Sequence, residues 1–131
     1  MRANRRSGFT LIELMVVVVI IAALAAMVVP KLVERADDAK EKIARGDLSS
    51  LDLALKMYRL DVGSYPGSDA GLDALLSTAG KGPYLERAPV DPWGRKYAYR
   101  YPGSRNPNGY DLSSAGKDGR EGSADDIGNW Q

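Results

Sequence analysis

Residues 9–29 read FTLIELMVVVVIIAALAAMVV, an apolar run in which Thr10 and Glu13 are the two polar side chains. As a helix the run is about 31 Å long, which matches the hydrocarbon thickness of a bilayer. Three arginines precede it within the first eight residues, and the positive-inside rule places them in the cytoplasm. The sequence therefore predicts one spanning helix, with the remainder of the chain across the inner membrane in the periplasm.

A cleaved secretory signal peptide is the alternative for this segment. It also has a basic start, an apolar centre and a small-residue site, here Ala23-Leu24-Ala25. Two features disfavour it. The apolar run continues past that site to Val29, and a carboxylate, Glu13, stands near its beginning.

Glu13 needs an electrostatic explanation. A charged side chain at the centre of a membrane helix costs about 2.5–3.5 kcal/mol, so it usually has a partner. The run contains no Lys or Arg. Cleavage between Gly8 and Phe9 would create an ammonium group on Phe9, and Glu13 of one chain could then pair with the ammonium of a neighbour. Snorkelling of Glu13 to the headgroups is the competing interpretation.

The sequence Gly8-Phe9-Thr10-Leu11-Ile12-Glu13 resembles the cleavage motif of type IV prepilins, which type IV pilins and type II secretion pseudopilins share. The resemblance implies that residues 1–8 are a cytoplasmic leader removed by a prepilin peptidase. It also implies that Phe9 becomes N-methylphenylalanine and that Glu13 is required for assembly between subunits.

Beyond Pro30 the pattern becomes amphipathic, because apolar residues recur at steps of three and four among many charges. These residues are Leu32, Ala36, Ala39, Ile43, Ala44, Leu48, Leu51, Leu55, Tyr58 and Val62. We predict one helix from Phe9 to Val62, with 9–29 as the transmembrane and assembly part and 30–62 as its amphipathic continuation. Gly63 is expected to end it.

Residues 63–131 predict a small α+β head. A short helix is expected over Asp69–Thr78, with Ser68 as its N-cap and three leucines turned inward. Asp91-Pro92-Trp93-Gly94 indicates a turn. The alternation in Lys96–Tyr101 predicts a half-buried strand, and Gly109–Ser114 a second one. The tyrosine stripe of the first strand favours sheet packing over a ligand platform.

Residues 112–127 form an acidic loop, rich in glycine and poor in apolar side chains. Asp118, Asp125 and Asp126 supply the hard oxygen ligands that calcium prefers, although the spacing is not that of an EF-hand. A flexible acidic tail is the alternative. A head of this size usually needs a disulfide or a metal, and the chain has no Cys, which favours the metal.

The order of these segments resembles the major pseudopilin (G subunit) family of type II secretion systems, within the type IV pilin-like superfamily. Five motifs carry the resemblance: Tyr65-Pro66, Asp91-Pro92-Trp93-Gly94, Tyr110-Asp111-Leu112-Ser113-Ser114, Gly116-Lys117-Asp118-Gly119 and Asp125-Asp126-Ile127 with Trp130. It implies that the C-terminal loop binds Ca²⁺ through the side chains of Asp118, Asp125 and Asp126. It further implies carbonyl ligands at Ala115 and Ser123.

Composition narrows the function classes. The chain has no His and no Cys, and its formal net charge is +1. These values remove the commonest general base and metal ligands and argue against nucleic-acid binding. We expect a structural subunit and no enzyme; a hydrolase using its Asp residues as acid and base is disfavoured because no pocket is suggested.

By the resemblance, the subunit forms a periplasmic pseudopilus that helps export folded proteins across the outer membrane. Its expected partners are copies of itself, minor pseudopilins, the prepilin peptidase, the inner-membrane assembly platform and, before assembly, membrane lipid. A type IV pilin or competence pseudopilin, and a membrane-anchored calcium-binding domain that never polymerises, are the alternatives.

Overall fold

The computed structural model describes residues 7–77 and 81–131. The first six leader residues and Thr78, the expected end of the short helix, lie outside these ranges. In chain order the elements are α1 (Leu11–Val62), a 3₁₀ helix (Gly71–Leu76), β1 (Ala98–Arg100), β2 (Asp111–Ser114) and β3 (Ile127–Gly128). The chain divides into two compact units after Ala36, and each is described by itself.

Helix α1 has a defined residue at each end. Thr10 precedes its first residue, Leu11, and Gly63 follows its last residue, Val62. Gly63 has a φ of 94°, and its N–H donates to the Arg59 carbonyl at 2.8 Å. A left-handed residue at this position satisfies a carbonyl that the helix leaves unpaired, which is why glycine ends the helix here.

The N-terminal unit exposes its apolar side chains. The apolar window of α1 is long enough to cross a membrane, and none of it is buried. Leu11, Ile12 and Met27 are all more than two-thirds exposed. Exposed apolar surface of this extent requires lipid or another protein chain to cover it.

The core of the C-terminal unit forms where one stripe of α1 meets the sheet. The helix contributes Ala44, Leu48, Leu51, Ala54 and Leu55. Leu72, Leu75, Tyr97, Tyr110, Leu112 and Ile127 complete this core. The predicted amphipathic stripe is therefore confirmed from Ala44 to Leu55, whereas Ile43 and Val62 at its flanks are exposed.

Two buried tyrosines bond to carboxylates on α1. The Tyr97 hydroxyl donates to Asp47 at 2.7 Å, and the Tyr110 hydroxyl makes a short hydrogen bond to Asp52. Burial, and then the adjacent carboxylate, raise the pKa of both phenols above the ordinary value. The predicted tyrosine stripe packs against the core, with Tyr97 buried and Tyr99 and Tyr101 partly buried. The strand is shorter than the predicted Lys96–Tyr101, because β1 covers only Ala98–Arg100.

The sheet is antiparallel, with strand order β1-β2-β3. In β1–β2 Tyr99 pairs with Leu112, and in β2–β3 Ser114 pairs with Ile127. Strand β3 was not predicted, because two residues ending in glycine have no strand pattern of their own. Its pairing with β2 makes residues 115–126 the connection of a hairpin.

The short helix differs from its prediction. It is a 3₁₀ helix preceded by Ala70, and no side chain caps it. Ser68, the expected N-cap, instead accepts the Tyr101 N–H at 2.8 Å and donates to the Tyr101 carbonyl at 2.9 Å. Leu72 and Leu75 are buried as expected, and Leu76 is half-buried. The Ser68 expectation was wrong because a partner 33 residues away competes for its hydroxyl.

Asp111, at the start of β2, organises the turn between β1 and β2. Its carboxylate accepts the N–H groups of Ser104 at 2.8 Å, Arg105 at 3.0 Å and Asn106 at 2.9 Å. It also accepts the Ser104 hydroxyl at 2.9 Å. Burial alone would raise the pKa of Asp111, but these hydrogen bonds outweigh it and hold the pKa below its ordinary value.

Asp111→Asn should lower the free energy of unfolding by about 1–2 kcal/mol, since a half-exposed site weakens charge-assisted hydrogen bonds. A lowered folded-state pKa stabilises above the unfolded value of about 3.9 and loses that effect as pH falls below it. The difference between wild type and variant, measured by denaturant titration, should be constant above about pH 5 and shrink towards pH 2. The exposed Asp73→Asn variant is the control, and a pH-independent difference would contradict the prediction.

Candidate functional site

The predicted cleavage junction between Gly8 and Phe9 lies in exposed, non-helical chain immediately before α1. Phe9 is 87 % exposed. Peptidases cleave extended, accessible chain more readily than helices. The junction is therefore accessible to a peptidase, and cleavage there stays a prediction.

Glu13 lies in a capping box at the beginning of α1. The Thr10 N–H donates to Glu13 Oε2 at 2.8 Å, and the Glu13 N–H donates to Thr10 Oγ1 at 3.2 Å. Two N–H groups that the first helical turn leaves unpaired are thereby satisfied. This contact was not among the predictions, although its sequence signature, Thr followed three residues later by Glu, is present.

The capping box leaves Glu13 able to take a further partner. A carboxylate has about four acceptor positions, and the contact with Thr10 N–H uses one of them. Pairing of Glu13 with the ammonium of a neighbour involves a second chain, so that expectation stays a prediction.

The acidic loop is closed by the sheet. Ser114 at the end of β2 pairs with Ile127 at the beginning of β3, so the loop comprises residues 115–126. The expected bounds 112–127 were too wide, because residues 112–114 and 127 belong to the strands. Lys117 also forms an ion pair with Asp37 of α1 at 2.5 Å. A closed loop of this kind keeps its acidic residues in one region.

Three carboxylates converge on one hydroxyl in this loop. Ser123 Oγ lies 3.2 Å from Asp118 Oδ1 and 3.4 Å from Asp126 Oδ1, and it makes a short hydrogen bond to Asp125 Oδ1. A serine hydroxyl carries a single proton. The hydroxyl can therefore satisfy one of the three carboxylates, and the other two face it without a proton between them.

Backbone groups of the loop supply the remaining donors. Asp118 Oδ1 accepts the Arg120 N–H at 2.8 Å, Asp125 Oδ2 accepts the Asp118 N–H at 2.9 Å, and Asp126 Oδ2 accepts the Gly122 N–H at 2.6 Å. The hydrogen bonds from Ser123 and from the Asp118 N–H lower the pKa of Asp125. These bonds fold the loop inward on its own carboxylates.

The predicted ligands are brought together to different degrees. Asp118, Asp125 and Asp126 meet at Ser123, and the Ser123 carbonyl accepts the Asp126 N–H at 3.4 Å. Ala115 is half-buried at the other end of the loop, beside Gly116. Within the described ranges, no group of three acidic side chains has the spacing needed to coordinate a metal ion. The donor set nevertheless fits calcium chemically, because it consists of hard oxygens on a glycine-rich backbone.

The carbonyl of Ser123 was expected to act as a ligand, but its hydroxyl, the common contact of three acids, was not predicted from the sequence. Nor was the role of Arg95 predicted, whose Nη1 donates to the Gly116 carbonyl at 2.9 Å. Neither role has a signal in the local pattern. Both depend on how the loop folds over the turn at residues 91–95.

Comparison with known proteins gives consistent matches over the whole chain. Residues 31–130 match the family described as type II secretion system protein G, and residues 3–29 match the prokaryotic N-terminal methylation motif.

Curated relatives match along nearly their full length. The type II secretion system core protein G of Pseudomonas aeruginosa is 47% identical over 99% of both chains. The protein of the same description from Escherichia coli K12 is 43% identical, over 99% of this chain and 95% of the relative.

A solved structure matches as well. The crystal structure of the major pseudopilin from the type 2 secretion system of enterohaemorrhagic Escherichia coli has a TM-score of 0.66 and 38% sequence identity. The match covers 76% of this chain and 89% of that one.

Gly116→Ala should disrupt the loop. Gly116 has a φ of 63°, and a Cβ there would collide with the carbonyl oxygen of Asp125. Backbone strain and collision together should lower the free energy of unfolding by about 1–3 kcal/mol. Gly122→Ala is the matched control, because Gly122 has a φ of 87° but open space around its Cα. Equal losses in the two variants, measured by thermal unfolding, would show that the collision is relieved without consequence.

Proposed function

The chain belongs to the type II secretion system protein G family and is a subunit of the secretion pseudopilus, and we propose that its two candidate sites serve filament assembly and calcium-dependent stability. The exposed apolar part of α1 carries the first role. The convergence of three carboxylates on the Ser123 hydroxyl carries the second.

Assembly exchanges lipid around α1 for the helices of other copies. Lipid tails are as apolar as leucine side chains, so the transfer of apolar surface is nearly neutral and packing and charge pairing decide. A prepilin peptidase cuts between Gly8 and Phe9, and Phe9 then carries a methylated ammonium group. Glu13 of the next subunit neutralises this ammonium inside the apolar bundle.

The membrane orientation follows from the basic leader. Arg2, Arg5 and Arg6 stay in the cytoplasm by the positive-inside rule, and the head lies in the periplasm. Minor pseudopilins and the inner-membrane assembly platform are the further partners. The role is structural, and we assign no catalytic step to any residue.

Calcium is the ion that the acidic loop would hold. Two unit charges about 4 Å apart repel by roughly 1–4 kcal/mol near a protein surface, and three carboxylates lie around the single hydroxyl of Ser123. Asp118, Asp125 and Asp126 would be its side-chain ligands, with carbonyls of Ala115 and Ser123. The ion would cancel this repulsion and order the loop.

The assembly role is tested by Glu13→Gln. Glutamine retains the capping box with Thr10 but carries no charge, so the neighbour's ammonium would remain unpaired at a cost of about 3–5 kcal/mol. We expect the variant to be cleaved and methylated at Phe9 by mass spectrometry, yet to form no filaments by electron microscopy of sheared cell fractions. If Glu13→Gln formed filaments as wild type does, Glu13 would be needed only to cap the helix.

In the same experiment Glu13→Val removes both the capping box and the charge. If Val abolishes filaments and Gln does not, the helix end rather than the ion pair is what assembly requires. If wild type itself is processed but never forms filaments, the chain is a membrane-anchored domain that does not polymerise.

The calcium role is tested by thermal unfolding of the full-length chain in detergent, with calcium or with EGTA. An ion at about a hundredfold excess over its Kd should stabilise the head by about 2.7 kcal/mol. Asp118→Asn should remove most of this calcium-dependent gain, whereas Asp73→Asn, an exposed acid on the 3₁₀ helix, should keep it. Equal melting temperatures of wild type in calcium and EGTA would overturn the metal site.

A further inference from the structure

Asp91 is a buried carboxylate to which the roles proposed above assign no function. It is 3 % exposed, and carboxylates are seldom buried without several donors. Its Oδ1 accepts the N–H groups of Trp93 at 3.1 Å and Arg95 at 2.8 Å, which form the turn. Its Oδ2 accepts the hydroxyl of Ser114 at 2.7 Å.

Ser114 connects the Asp91 carboxylate to the acidic loop. Its side chain is fully buried, and its Oγ accepts the Gly116 N–H at 3.2 Å. An ionised carboxylate accepts hydrogen bonds and donates none. The single hydroxyl proton therefore points to Asp91, and the lone pairs of Oγ are left for Gly116.

The Gly116 N–H belongs to the same peptide group as the Ala115 carbonyl. A trans peptide is planar, with N–H and C=O pointing in opposite directions. A fixed N–H therefore fixes the direction of the Ala115 carbonyl, which points away from Ser114. The next peptide is held too, because Arg95 Nη1 donates to the Gly116 carbonyl at 2.9 Å.

Gly116 also sets the distance of this peptide from the acids. It is buried against Asp125, such that an added Cβ would lie 2.9 Å from Asp125 Oδ2. The Ala115–Gly116 peptide is thus held by Ser114, which is itself bonded to Asp91, and it lies close to Asp125. A backbone carbonyl that is fixed before a cation binds loses less entropy when it becomes a ligand.

We propose that Asp91 and Ser114 are positioning residues of the metal loop, which orient the Ala115 carbonyl towards a divalent cation. The inference rests on the calcium role proposed above and extends it to two buried residues that would not touch the ion. Neighbours that orient metal ligands commonly change metal affinity by about 10–100-fold when they are substituted.

The test is isothermal titration of full-length chain in detergent with CaCl₂, comparing Ser114→Ala with Ser113→Ala. Ser113 is the preceding residue of the same strand, so Ser113→Ala removes a serine hydroxyl from the opposite face of β2. We expect a Kd about tenfold higher for Ser114→Ala and an unchanged Kd for Ser113→Ala. Melting temperatures in EGTA report separately on any loss of fold stability.

Asp91→Asn is the second variant, because it keeps the side-chain volume. Its amide would present N–H groups to Ser114 and reverse the direction of the hydroxyl, so calcium should again bind about tenfold more weakly. The double variant should be no weaker than the weaker single one, since both act through one path. Additive losses would indicate two unrelated structural effects and overturn the proposal.

The outcomes separate the two claims. If wild type binds calcium and Ser114→Ala binds it with the same Kd, the positioning role is wrong and the metal site stands. If wild type takes up no calcium, the metal site itself is wrong and the positioning role falls with it. A lower melting temperature in EGTA with an unchanged calcium Kd assigns Asp91 and Ser114 to fold stability alone.

Discussion

The head depends on the contact between one stripe of α1 and the tyrosines of the sheet. Leu48, Leu51 and Leu55 supply the apolar surface, and the hydroxyls of Tyr97 and Tyr110 bond to Asp47 and Asp52 on the same helix. A tyrosine can be buried in this way because its polar end finds a partner. The contact fixes β1 and β2 against the helix, and every loop of the head is placed relative to these strands.

Two loops leave these strands, and each is organised around a carboxylate. The turn between β1 and β2 is built on Asp111, whose donors are all nearby in sequence. The acidic loop between β2 and β3 holds three acids at Ser123. The first carboxylate has a donor for each oxygen and is stable as it stands. In the second group the three carboxylates accept backbone N–H groups and share one hydroxyl, and no Lys or Arg side chain in the described ranges forms an ion pair with them.

Glu13 caps the helix in the structure, and we propose that it also pairs with a charge in assembly. Its contact with Thr10 satisfies the backbone at the beginning of α1, and its charge suits a membrane-embedded ammonium in a neighbouring subunit. Glutamine would cap the helix as well as glutamate does. The presence of a charge where an amide would serve is therefore what points from helix capping towards assembly.

Local patterns were sufficient for much of this protein. The apolar run, the motif at Gly8–Glu13 and the amphipathic stripe predicted the long helix to its last residue, Val62, and the alternation of tyrosines predicted a strand facing the core. The resemblance to the protein G family was also readable from short motifs, and the family match confirms it. Each of these signals lies within a few residues, where helix and strand periods act.

The tertiary structure decided what depends on distant partners. Ser68 bonds to a residue 33 positions away instead of capping a helix. Strand β3 forms because it pairs with the edge of β2, and Asp91 accepts a hydrogen bond from Ser114, 23 positions away in the sequence. A hydroxyl or a carboxylate accepts whichever donor the fold brings within about 3 Å. Helix and strand periodicity in the sequence does not indicate which distant donor that is. The sequence by itself therefore determined the helix, the class of fold and the acids of the loop, whereas the folded chain alone determined which groups hold those acids in place.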